Sequence, residues 1–123
     1  MKRLLLIICL LFTLVTQAQR TVVHTIKVTT GHWNNMEEDW IWERSKYAII
    51  NFLMQGNTVI ADDVAESTYT TFDLIVDTKE IVMWDAVDEK SRSCNFIINY
   101  TVPETISVMY SDVIYVYEID YIE

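Results

Sequence analysis

Across 123 residues the chain has two glycines, two cysteines, two histidines and one proline. Each shortage excludes something. Gly31 and Gly56 alone cannot build a glycine-rich loop, whose backbone must come close to a phosphate. Cys9 lies in an N-terminal apolar run, which leaves Cys94 single, so no internal disulfide is expected and burial must hold the domain together. His24 and His32, eight positions apart, match no zinc-ligand spacing. Cationic residues are also scarce. Nine Lys and Arg stand against 18 Asp and Glu, a formal net charge of −9. That balance argues against a nucleic-acid partner, which would require phosphates to be neutralised by Lys and Arg. It argues equally against docking on an anionic membrane surface.

The N-terminus carries the one long apolar run. Lys2 and Arg3 precede Leu4 to Val15, and Thr16-Gln17-Ala18 places small residues where a leader peptidase cuts. The run falls short of the roughly 20 apolar residues needed to span a bilayer. Residues 1–18 are therefore read as a removable signal peptide and 19–123 as one small domain. Export to the periplasm or the cell exterior is expected, with no membrane anchor after cleavage. Loss of Lys2 and Arg3 takes the formal charge from −9 to −11.

What remains alternates. Val22, His24, Ile26 and Val28 share a phase, as do Ala48, Ile50, Phe52 and Met54, then Val82, Trp84 and Ala86, then Cys94, Phe96 and Ile98. Val113, Tyr115, Tyr117, Ile119 and Tyr121 form a last apolar ladder, expected to face inward. Period-two patterning over short runs rich in Thr, Val, Ile and Tyr predicts half-buried strands. Gln55-Gly56-Asn57, Asp88 to Ser91 and Val102-Pro103-Glu104 read as turns, and 73–87 reads as strands although a helix could be fitted there. Short connections force antiparallel neighbours. The predicted fold is all-β: an up-and-down meander of about eight strands closing into a barrel, which removes its edges. A two-sheet sandwich is the alternative.

No nucleophile motif emerges. Cys94 runs in phase with Phe96 and Ile98, and no serine sits in G-x-S-x-G. Asp62, Asp63 and Glu66, and likewise Asp85, Asp88 and Glu89, read as solvated turns. His24 reads as a satisfied core residue. A non-enzymatic protein without cofactor or metal is expected. The loop from Gly31 to Asp39 is the most unusual segment, with Trp40 and Trp42 just beyond it. Trp33, Trp40, Trp42 and His32 could line a barrel mouth and take a small apolar or sugar-like ligand. The carboxylates of Glu37, Glu38 and Asp39 lack calcium-loop spacing. With Asp62 and Asp63 they form the alternative site, an acidic face or inhibitor surface for a basic exported partner such as a cell-wall hydrolase.

Gly31-His32-Trp33 matches the G-x-W element that opens lipocalin-like (calycin) barrels. The chain resembles that group in this element, in strand count and in its leader. The resemblance implies a β-barrel with Trp33 closing one end, and it transfers no catalytic residue. The layout is also similar to short exported β-proteins of Bacteroidota, whose leaders often end in Ala-Gln as Ala18-Gln19 does here.

Overall fold

A computed structural model describes residues 20–62 and 67–123. The proposed leader, Asp63 and Glu66 lie outside the described residues. Nine strands run in chain order: β1 (Arg20–Asn34), β2 (Asp39–Trp42), β3 (Lys46–Gln55), β4 (Thr58–Asp62), β5 (Ser67–Asp77), β6 (Ile81–Asp88), β7 (Ser93–Asn99), β8 (Thr105–Met109) and β9 (Val113–Ile122). Among the described residues no helix is long and apolar enough to cross a membrane.

Every pairing is antiparallel, and β3 to β9 follow one another around the sheet. β1 pairs with β3 on one side and β9 on the other, so eight strands close a barrel. The two-sheet alternative is thereby set aside. β2 is the ninth strand and stays outside the cylinder. It pairs with the last four residues of β1, in register Gly31 to Trp42 and Trp33 to Trp40. The hairpin of β1 and β2 therefore projects past the barrel end as an arm.

Eight strands enclose a lumen just wide enough for side chains to fill, and this one is filled at its centre. Phe52, Phe96, Ile106 and Val108 are fully buried there. Phe52 meets the Tyr117 ring edge-on at 4.9 Å between centroids and the Phe96 ring at 6.4 Å. Tyr115, Tyr117 and Ile119 point inward with them, as the C-terminal ladder predicts. The turns form where expected. Gly56 sits at φ 60° in the two-residue link between Gln55 and Thr58, a conformation that costs a residue without Cβ little.

Register shifts correct the simple alternation in β1, β5 and β9. The β1–β9 register slips at Ile26, so Val23 and Thr25 face the lumen before it and Val28 after it. His24 is consequently not on the core face. It is half-buried on the outer wall, stacked on Tyr121 at 4.2 Å, with Nδ1 2.7 Å from Asn51 Oδ1 and Nε2 3.0 Å from Glu123 Oε1. A second slip, at Asp120, turns Tyr121 outward and ends the inward ladder at Ile119. An extra residue in one strand re-phases everything beyond it, and period-two reading cannot see where that residue falls.

Candidate functional site

The two ends of the barrel differ in chemistry. One is stopped by a polar plug at the β6–β7 and β8–β9 turns. Asp88 is the last residue of β6, and its inward phase follows from Trp84 and Ala86. Its side chain is 2 % exposed, so the solvated turn expected from sequence is corrected here. Asp88 Oδ1 accepts the backbone N–H of Lys90 and of Arg92, both at 2.9 Å. Oδ2 accepts Arg92 Nε at 2.8 Å and the Tyr110 hydroxyl at 2.9 Å. The carboxylate thus shapes the turn that follows it, in which Ser91 adopts φ 61°. The Arg92 guanidinium lies over the Tyr110 ring at 5.0 Å.

Burial alone would raise the Asp88 pKa. The donors from Arg92, Tyr110 and Lys90 outweigh it and hold the carboxyl below its ordinary value. Tyr69 beneath the plug is pushed up to about 12, by burial first and then by the Glu89 charge. Burial, followed by the Asp88 charge, pushes the Cys94 thiol up to about 11. A thiol kept protonated by apolar surroundings is inert rather than nucleophilic, in keeping with its phase beside Phe96 and Ile98.

The opposite end, at the β3–β4 and β7–β8 turns, carries no plug among the described residues. Inward side chains leave an apolar cavity of about 170 Å³ there, lined by Thr21, Val23, Met54, Trp84, Ile98, Tyr100, Ile119 and Ile122. A smaller cavity of about 60 Å³ lies beside it, lined by Met54, Gly56, Val59, Thr71, Trp84 and Phe96. Met54 and Trp84 line both. The Trp84 ring is 6.1 Å from that of Phe96, which forms the floor. The Thr71 hydroxyl is engaged with the Asn57 carbonyl at 3.2 Å. Among the described residues neither cavity has a charged side chain in its lining.

The tryptophans singled out from sequence come together, but elsewhere. Residues directly opposite in a ladder share a face, so Trp33, Trp40 and Trp42 all stand on the Gly31 side of the arm. That side is continuous with the outer wall, because Gly31 pairs with Ile114 and the inward residue of β9 is Tyr115. Trp33 meets Trp40 edge-on at 5.3 Å and is 38 % exposed. Trp42 covers Gly31 and Ile114 so closely that a Cβ on Gly31 would come within 2.8 Å of Ile114 Cγ2 and 2.9 Å of the Trp42 ring. Gly31 is required here by close packing, and the G-x-W element seals the arm to the outer wall. Trp33 does not fill a barrel end.

His32 is on the other face, with Nε2 3.2 Å from Glu43 Oε2. Glu37, Glu38 and Asp39 are exposed at the arm tip, where Asn34 Oδ1 accepts the Met36 and Glu37 N–H groups and Glu38 adopts φ 52°. Asp62 is exposed at the end of β4, opposite Asn51 on the outer wall. It borders a shallow groove with Arg20 and Val22, at the start of β1, and Leu53. Among the described residues no three His, Cys, Asp or Glu side chains converge to hold a metal.

Sequence reasoning missed Met54 and Trp84 as site residues. Both were legible as inward positions in alternating runs. Their meeting across one open end depends on which end the plug occupies. Compared with protein-family models, curated proteins and solved structures, the chain matches none.

Proposed function

We propose that this is an exported, non-enzymatic binding protein that holds a small apolar molecule in the open mouth of its barrel, against Trp84. The observation that carries this reading is the cavity of about 170 Å³, bounded by Val23, Met54, Trp84, Ile98, Ile119 and Ile122 at the end without the plug. An apolar cavity of about 150 Å³ in a protein core stays dry and takes up benzene, so this mouth suits one aromatic ring or a short alkyl group. The lining favours an apolar ligand over a sugar. Thr21 and Tyr100 are its hydroxyl-bearing side chains, and a carbohydrate needs several placed polar partners.

Toluene and glucose are the probes that separate these classes. Titration of toluene is expected to shift the Trp84 indole N–H and the Ile98 and Ile119 methyl resonances saturably, while glucose moves none of them. Absence of any toluene shift at these groups would overturn the reading.

The arm supports a second reading, an acidic docking surface for a basic exported protein. Met36 is 96 % exposed and Trp42 50 % exposed, next to the carboxylates of Glu37, Glu38 and Asp39. Aromatic and methionine side chains beside negative charge suit a partner rich in arginine. Capture of such a partner is expected to weaken strongly as ionic strength rises and to fail in the Glu37→Lys, Glu38→Lys, Asp39→Lys variant. Toluene binding at the mouth is expected to respond to neither change. A partner held equally well at low and high salt would refute the electrostatic reading.

A further inference from the structure

Met54 and Trp84 stand on strands nearly opposite one another. Around the barrel β3 and β6 are separated by β4 and β5 on one side and by β1, β9, β8 and β7 on the other. Both residues nevertheless line both cavities. Their side chains therefore form a bar across the mouth. On one side lies the cavity of about 170 Å³, walled by β1, β7 and β9, and on the other the cavity of about 60 Å³, walled by β4, β5 and the Gly56 turn.

The two halves of the bar differ in mobility. Trp84 is a rigid ring, half-buried and packed against the core beside Phe96. Met54 is half-buried near the end of its strand, and an unbranched thioether with three rotatable bonds changes rotamer readily. The smaller cavity has no room for a ring by itself, and a fully buried wall of Phe96 and Val59 holds its far side.

The geometry points to Met54 as the specificity-determining residue of the mouth: by swinging aside it joins the two cavities and admits a flat two-ring apolar ligand against Trp84, whereas in its resting rotamer the mouth takes a single ring. This rests on the mouth being the binding site. The ligand class follows from the chemistry of the walls. It is an uncharged fused aromatic or alicyclic pair of rings, because no charged side chain lines either cavity.

The test compares toluene with naphthalene on the full mature chain and two variants, by calorimetry and by the Trp84 indole resonance. Met54→Leu keeps the volume and removes the flexibility, a change that cores tolerate well. It is expected to weaken naphthalene binding at least tenfold more than toluene binding. Met54→Ala removes the bar and is expected to tighten naphthalene relative to toluene. Unchanged naphthalene affinity in a folded Met54→Leu would overturn the proposal while toluene binding kept the mouth as a site. Failure of both probes on the parent chain would overturn the binding function itself. Thermal melts of each variant guard against misfolding, and Met54→Leu suffices if Met54→Ala does not fold.

Discussion

Phe96→Ala is expected to lower stability by about 4 kcal/mol, the range measured for deleting a fully buried phenyl ring from a core. Phe96 is fully buried and touches rings on three sides: Phe52 at 6.4 Å, Tyr69 at 6.3 Å and Trp84 at 6.1 Å between centroids. Those neighbours belong to three different strands of a closed barrel, so none can move in without breaking ladder bonds elsewhere. The cavity would stay open, and unfilled volume adds to the lost transfer energy. In urea the midpoint should fall with the slope unchanged. A loss below about 1.5 kcal/mol would mean that the interior relaxes freely and is not close-packed. The change also removes the floor of the smaller cavity, so naphthalene should bind the variant more tightly wherever it remains folded.

The second large effect is at the other end. Asp88→Ala is expected to cost about 3 kcal/mol, because four donors lose their acceptor together, a hydrogen bond to a charged group contributes about 1.5–3 kcal/mol net, and the freed donors in part regain water. Arg92 is mostly exposed and returns to water readily. The Tyr110 hydroxyl and the turn N–H groups do so less easily. In a domain of this size the midpoint of thermal unfolding should drop by roughly 10–20 °C. The pH dependence has a definite sign. The Asp88 pKa is lowered in the folded state, so its contribution is fully present above the unfolded value of about 4 and is lost as pH falls through the folded value. The stability gap between the parent and Asp88→Asn should therefore be widest near neutrality and close on acidification below about pH 4. A gap that stayed constant into acid would show that the carboxylate is not the acceptor on which the plug depends.

Much of this was readable in the chain because a barrel wall is repetitive. Alternation in the runs ending at Met54, Ala86 and Ile98 named the inward residues of β3, β6 and β7 directly. The turn at Gly56 and the break at Pro103 placed the reversals. The segment 73–87, read as strands although its period is mixed, forms the end of β5 and most of β6. Where alternation failed in β1 and β9, a single inserted residue was responsible, at Ile26 and at Asp120. Those slips moved His24 off the core face and turned Tyr121 out of the ladder. Asp88 was misread for a related reason. A carboxylate at the end of a strand looks solvated until the following turn folds back and offers its N–H groups.

The candidate site was less legible than the fold. Three tryptophans within ten residues drew the ligand-binding expectation to Trp33, Trp40 and Trp42, and their shared face does follow from their spacing across the hairpin. Which way that face points was not in the sequence. It was set by the parity of β1 after its bulge and by the pairing of Gly31 with Ile114. Composition and periodicity by themselves determined an acidic all-β chain. Tertiary structure alone decided which end of the barrel is plugged, which is open, and that Met54 and Trp84 border the same two cavities there. The reason is physical: period-two patterning records which side of a wall a residue occupies, whereas a cavity depends on how eight walls close around it.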